Sequence, residues 1–226
     1  MYPVLYHGGL HRSPRWALRL GIVCWAGLVL IAWLTASGHI ARFDEQGLLY
    51  WRDANGNVAP AMHEWVRDLT SLGGVFLRNL FALCAVVALL VLSRGREAIW
   101  LAITVIGGWL TNSAIKYLVD RPRPSLVSHL TEASGPSFPS GHSFNAAVVA
   151  LAIAFAFNAS ITSRPLRATL LTLAIVLSMA VAWSRVWLGV HYPSDVIAGW
   201  LGGAGWVLIA SILLQPNRLN LRRRLP

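Results

Sequence analysis

An all-α, polytopic membrane bundle is the fold class this sequence predicts, on three observations. Of its 226 residues, 56% are hydrophobic and only 12% are charged, and the mean hydropathy is +0.56, a composition foreign to ordinary soluble domains. The apolar residues gather into runs of about 20, the length a helix needs to cross a bilayer core. Polar residues of distinctive chemistry collect in three short islands, each at the end of such a run. Several spans and their loops leave no room for a second globular unit, so residues 1–226 read as one membrane-embedded domain.

Six runs qualify as transmembrane helices, at roughly 17–36, 73–93, 98–118, 143–159, 166–187 and 195–214. The first follows Arg12, Arg15 and Arg19 and ends beside Thr35-Ala36-Ser37, in the manner of a secretory signal. Its apolar stretch exceeds the roughly 7–15 residues of a signal core, so it reads as a retained helix. The second carries Arg78 near its start, tolerable where the side chain snorkels or meets polar neighbours. Ahead of it, Met62, Trp65, Val66 and Leu69 recur at helical spacing with His63, Glu64, Arg67 and Asp68 opposite. That pattern predicts an amphipathic helix in the first outer loop, either a lid or lateral gate for a lipid or a surface helix packed on the bundle. Trp16, Trp33, Trp100 and Trp187 fall near span ends, where interfacial belts place them. Cys24 and Cys84 lie in apolar runs without metal-ligand spacing, and no disulfide is expected between span interiors.

With six spans, both termini share a side with the loops near 94–97 and 160–165. That side carries Arg12, Arg15, Arg94, Arg96, Arg164, Arg167, Arg218 and Arg222 to Arg224. On the other side Arg42, Arg52, Arg67, Arg121 and Arg123 are diluted by Asp44, Glu45, Asp53, Glu64, Asp68, Asp120 and Glu132. The positive-inside rule then puts both termini in the cytoplasm and all three polar islands outside. The same distribution accounts for the net charge of +10. With no recognition motif present, nucleic acid is set aside as a partner.

The islands are Lys116-Tyr-Leu-Val-Asp-Arg-Pro-Arg123-Pro124, Pro139-Ser140-Gly141-His142, and Ser184-Arg185 followed by His191-Tyr-Pro-Ser-Asp195. An alternating bundle brings the end of the third span, the start of the fourth, the end of the fifth and the start of the sixth to one face. Lys116, Arg123 and Arg185 then supply three positive charges that call for an anion, and arginine forks match phosphate oxygens. Separate snorkelling to lipid headgroups is the plainer alternative. Gly141 admits a ligand close to the backbone, and amides at a helix start favour negative charge. The Ser140 hydroxyl and the Gly141 N–H could hold phosphoryl oxygens; Ser140 or Ser143 as a simple N-cap is the competing reading. His191 suits a nucleophile, with Asp195 four residues on to hydrogen-bond its other ring nitrogen. His142 suits the acid that protonates the leaving oxygen and later takes a proton from water. Metal ligation by His142, His191 and Asp195 competes with these roles. Three nearby cations oppose a divalent ion, so neither metal nor other cofactor is expected.

The segments K-x6-R-P, P-S-G-H and S-R-x5-H-x3-D, complete and in order over residues 116–195, resemble the three signature motifs of the type-2 phosphatidic acid phosphatases, or lipid phosphate phosphatases. The resemblance implies that Lys116, Arg123, Ser140, Gly141 and Arg185 bind phosphate. It likewise implies His142 as the acid, His191 as the nucleophile and Asp195 as its partner. The implied activity is hydrolysis of a lipid phosphate at a bacterial inner membrane. Undecaprenyl pyrophosphate is the leading substrate, with phosphatidylglycerol phosphate and phosphatidic acid as alternatives. A lipid-to-lipid phosphotransferase would use the same phosphohistidine, and the vanadium-dependent haloperoxidases of the superfamily are soluble. No motif speaks to oligomeric state.

Overall fold

A computed structural model of the chain describes residues 15–52, 58–158 and 160–214; Arg12, Asp53, Arg218 and Arg222 to Arg224 lie outside the described residues. Within them the order is α1 (Arg15–Ala36), α2 (Ala41–Leu49), α3 (Pro60–Ser71), α4 (Val75–Val91), α5 (Gly95–Val119), α6 (Gly141–Asn158), α7 (Arg164–Trp187) and α8 (Pro193–Ala210), which runs into a 3-10 turn at Ser211–Leu214. There is no strand among the described residues. Five of these helices (α1, α5, α6, α7, and α8 with its final turn) are long and apolar enough to cross a bilayer alone. α4 has 17 residues and meets α3 at a bend of 44°, and the two together, counted as one bent span, bring the candidate spans to six. The chain is therefore a multi-pass membrane protein. Counting the 3-10 turn with α8, every predicted span end falls within three residues of the observed one.

Local chemistry explains several of the boundaries. Pro60 and Pro193 open α3 and α8, where a missing N–H costs nothing and the fixed φ suits a helix. Ser163 caps α7 by accepting from the Leu166 N–H at 3.4 Å. α5 ends at Asp120, whose φ of +44° is left-handed, a conformation that a short polar side chain tolerates.

α6 and α8 form the centre. α6 packs on α4, α5, α7 and α8, while α8 also reaches α1. Phe144, Ala147, Val148, Leu151 and Ala152 of α6 share a core with Leu101, Ala204 and Val207. The backbones come close because α8 is stripped of side chains on these faces. A Cβ on Gly199 would stand 2.7 Å from the Ser140 carbonyl oxygen, and one on Gly203 would collide with the Phe144 carbonyl oxygen. The outer faces of α1, α4, α5 and α7 expose Val23, Val87, Ile103 and Met179, as hydrocarbon-facing surfaces do.

The first outer loop departs from expectation in two ways. α2 was not foreseen, because Arg42, Asp44, Glu45 and Gln46 give it no apolar stripe; it is held instead through buried Asp44 and Leu48. α3 lies where the periodicity predicts, but with a rotated face. Val66 and Thr70 are buried, while Met62 and Trp65 stay 44% and 57% exposed. His63, expected on the polar side, stacks on Trp187 with ring centres 6.2 Å apart, and its Nε2 lies 3.2 Å from the Leu130 carbonyl. Contact with α7 sets that rotation.

Candidate active site

Helix ends deliver most of the predicted residues to one place. Lys116 comes from the last turn of α5, Gly141 and His142 open α6, and Arg185 sits in the last turn of α7. Together with Arg123 and His191 from the connecting loops, these six line a single cavity of about 1140 Å³. Ser140 and Asp195 do not line it; both are fully buried behind its wall. Ser140 acts as part of the helix start, its hydroxyl 3.5 Å from the Ser143 N–H and its own N–H donating to the Asp195 carbonyl at 2.9 Å. A Cβ on Gly141 would lie 3.4 Å from Asn112 Nδ2 and 3.5 Å from Lys116 Cε, so its absence leaves cavity space beside the positive end of α6.

The His191 ring is held from both sides. Arg123 Nη1 donates to Nε2 at 3.2 Å. Since a guanidinium cannot accept, Nε2 is the unprotonated nitrogen and the ring proton sits on Nδ1. From Nδ1 the proton points to Ser137 Oγ at 3.3 Å, and the Ser137 hydroxyl donates to Asp195 Oδ2 at 2.5 Å. Asp195 itself stands 3.6 Å from Nδ1, a charge contact too long for a hydrogen bond. The direct His191–Asp195 bond expected from the sequence is thus replaced by a serine bridge. The reason is competition: Oδ2 also accepts from the Tyr192 N–H at 2.9 Å, and Oδ1 takes Arg121 at 2.6 Å. Burial, together with Arg123 and Arg185, pushes the His191 imidazole down to about 4 against the opposing pull of Asp195. At neutral pH it carries no charge and keeps a lone pair on Nε2.

The cations are arranged around the cavity. Lys116 Nζ donates to the Pro136 carbonyl at 2.5 Å. Arg123 donates to the carbonyls of Ser134, Gly135 and Val190 at 2.7, 3.0 and 2.9 Å, tying the loop before Pro139 to the connection between α7 and α8. Burial lowers its pKa, opposed by Asp195. Arg185 Nη1 donates to Thr70 Oγ1 at 2.9 Å, while its Nε is buried without a partner. Asn112 Oδ1 is likewise buried and unpaired beside the cavity. Unsatisfied polar atoms of this kind fit a site that waits for a polar ligand. Among the described residues, no three His, Cys, Asp or Glu side chains converge as a metal set.

Sequence reasoning missed the layer behind the cavity. Arg121 bridges two buried carboxylates, Asp195 at 2.6 Å and Asp44 at 2.8 Å, and lies 4.1 Å above the Tyr192 ring. Although burial works against its charge, Asp195 and Asp44 hold its pKa above the ordinary value. Asp44 also accepts from the Ser194 N–H at 2.9 Å and the Ser194 hydroxyl at 2.6 Å. A serine in a loop and an acid in a polar helix carry no signal by themselves, so Ser137 and Asp44 were not legible. Arg78 did carry one, a charge inside an apolar run; it is buried and lines the same cavity.

A model of the PAP2 superfamily matches residues 97–219. Among curated relatives, an undecaprenyl-diphosphatase of Sulfolobus acidocaldarius is 31% identical over 133 residues, 56% of this chain and 60% of the relative. Phosphatidylglycerophosphatase B of Bacillus subtilis is 38% identical over 92 residues, 40% of this chain and 44% of the relative. A decaprenylphosphoryl-5-phosphoribose phosphatase of Mycobacterium tuberculosis H37Rv is 40% identical over 93 residues, 40% and 46%. The chain thus spans about half the length of the curated relatives it matches. In three dimensions it superposes on the crystal structure of a transmembrane PAP2-type phosphatidylglycerolphosphate phosphatase from Bacillus subtilis with a TM-score of 0.78. That match has 22% identity and covers 84% of this chain and 93% of the other. The shared fold is that of a PAP2 membrane bundle.

Proposed function

Because this chain belongs to the PAP2 superfamily, whose model covers more than half of it, we propose that it is an integral-membrane phosphatase acting on a lipid phosphate or pyrophosphate through a phosphohistidine. The observation that carries the reading is the pairing, in one cavity, of an unprotonated His191 Nε2 with His142 and the cations Lys116, Arg123 and Arg185. Nε2 attacks phosphorus, forming an N–P bond as the bond from phosphorus to the lipid oxygen breaks. His142 gives that oxygen its proton. The lipid leaves, water attacks phosphorus on the phosphohistidine, and His142 takes back a proton from it; the N–P bond breaks and inorganic phosphate departs. The imidazolium that forms is stabilised by Asp195, whose negative charge reaches Nδ1–H through the Ser137 hydroxyl. Lys116, Arg123, Arg185 and the start of α6 hold the phosphoryl oxygens, and these cations supply the positive charge that a metal would otherwise bring.

The whole chain acts as one domain in a bacterial inner membrane, with both termini in the cytoplasm and the cavity on the outer side, by the loop charges. Undecaprenyl pyrophosphate is the leading substrate, in keeping with the name of one relative; phosphatidylglycerol phosphate and phosphatidic acid are the alternatives. The test is phosphate release by purified protein in detergent with excess chelator, on each of these three lipids, beside His191→Ala. Release that survives chelation and vanishes in the variant is expected. Transfer to an added acceptor lipid without hydrolysis would make the protein a phosphotransferase, and inactivity in both assays would refute the reading.

A further inference from the structure

Arg78 lies one turn into α4, is 8% exposed, and lines the cavity that holds His142, Arg185 and His191. Among the described residues its side chain makes no ion pair and no hydrogen bond; the carboxylates Asp44 and Asp195 are engaged by Arg121. A guanidinium buried at the edge of a span without a counter-charge is costly. An anionic ligand removes that cost. Arg78 also lines a second, apolar cavity of about 370 Å³ between α4, α6 and α7, walled by Phe81, Val149, Ile153 and Leu177. It therefore stands at the junction between the polar site and an apolar groove.

This placement separates one substrate class from another. In a lipid diphosphate, the terminal phosphorus is attacked while a second phosphate lies between it and the hydrocarbon. With the terminal phosphate at His191 and the hydrocarbon in the α4–α6–α7 groove, the second phosphate falls at Arg78. In a monophosphate no anion reaches that position. We propose that Arg78 holds the phosphate nearest the hydrocarbon, so that this site prefers lipid diphosphates to lipid monophosphates. The inference rests on the phosphatase reading above and adds to it the substrate class.

Farnesyl diphosphate and farnesyl monophosphate share a tail and differ only in the second phosphate, so the ratio of their kcat/KM values reads Arg78 directly. For R78Q, which removes the charge, the diphosphate-to-monophosphate ratio falls by about 10- to 100-fold, the value of a charge-assisted hydrogen bond. R78K keeps a charge without the fork and restores part of the ratio. A ratio within about twofold of wild type in R78K and R78Q overturns the assignment, whatever the absolute activities, since that is roughly a quarter of the expected energy. Should R78Q lose all activity, R78K decides: its ratio lies several-fold below that of wild type, or Arg78 has no such role. Wild-type protein that releases phosphate from neither lipid sinks the phosphatase reading and this inference together, whereas activity on both with an unchanged ratio sinks only the inference.

Discussion

Replacing Arg121 by glutamine removes the cation between two carboxylates that are 1% and 0% exposed, while Arg121 itself is only 15% exposed. Breaking a buried pair from one side costs about 3–5 kcal/mol, because the remaining charge stays out of water. Here each acid keeps other donors, the Ser194 N–H and hydroxyl on Asp44 and the Ser137 hydroxyl and Tyr192 N–H on Asp195. Those contacts place the loss near the lower bound, about 3 kcal/mol, with the contact over Tyr192 adding about 0.5–1 kcal/mol. For a chain of this size that corresponds to a fall of roughly 7–16 °C in Tm, measured by thermal unfolding in detergent. Asp44→Asn removes one of the stranded charges, so the double variant is less destabilised than the sum of the singles, by about 1–3 kcal/mol. A Tm within about 2 °C of wild type, or strict additivity in the cycle, would refute the view that Arg121 pins α2 to Asp195.

The pH profile follows from His191. With its imidazole at about 4 in the folded protein and 6.5 as the ordinary value, kcat/KM rises as pH increases through about 4 and falls again where His142 loses the proton it must donate; an acid limb centred near 6.5 would contradict the buried, uncharged ring, and a profile with no alkaline fall would contradict His142 as the acid. The unfolded chain binds the proton more readily than the folded one between those values. The stability that His191 confers by staying neutral is therefore complete above 6.5 and lost as pH falls toward 4, a slope that thermal scans across this range will show. Ser137→Ala cuts the bridge from Nδ1 to Asp195 and should lower kcat by about 10- to 100-fold, with KM little changed because Ser137 is fully buried behind the cavity; a pure KM effect would count against the bridge. Arg123→Lys leaves one ammonium where three nitrogens hold Ser134, Gly135 and Val190. It should cost about tenfold or more in kcat/KM and speed amide exchange over 134–137; retention of both would assign Arg123 to neither role.

What was legible in the sequence is what the bilayer and the chemistry impose locally. A span must be about 20 apolar residues long whatever surrounds it, so the helices could be marked to within a few positions. The cavity residues were legible because alternation of spans carries Lys116, His142 and Arg185 to one side without any knowledge of packing. The supporting layer was not, because its contacts join distant segments: Arg121 meets Asp44 across 77 positions and Ser137 meets Asp195 across 58. Nor could spacing tell that Asp195, four residues from His191, would be drawn away by stronger donors. α2 escaped notice because its anchor is a buried acid rather than an apolar stripe. Arg78 was noticed as an anomaly, but only the packing of α4 shows that it points at the site.

The bare face of α8 blurs the line between scaffold and chemistry. Gly199 faces the carbonyl of Ser140, one residue from Gly141 and two from His142, and four positions along the same helix from Asp195. A single added methyl there must shift either α8 or the start of α6, and those two segments carry His142 and Asp195, the proposed acid and the proposed support of His191. In a saturating mutational map, Gly199 and Gly203 would register beside the histidines as sites of lost turnover, although neither lines the cavity. Inherited variation at these glycines is thus as informative about catalysis as variation within the motifs themselves.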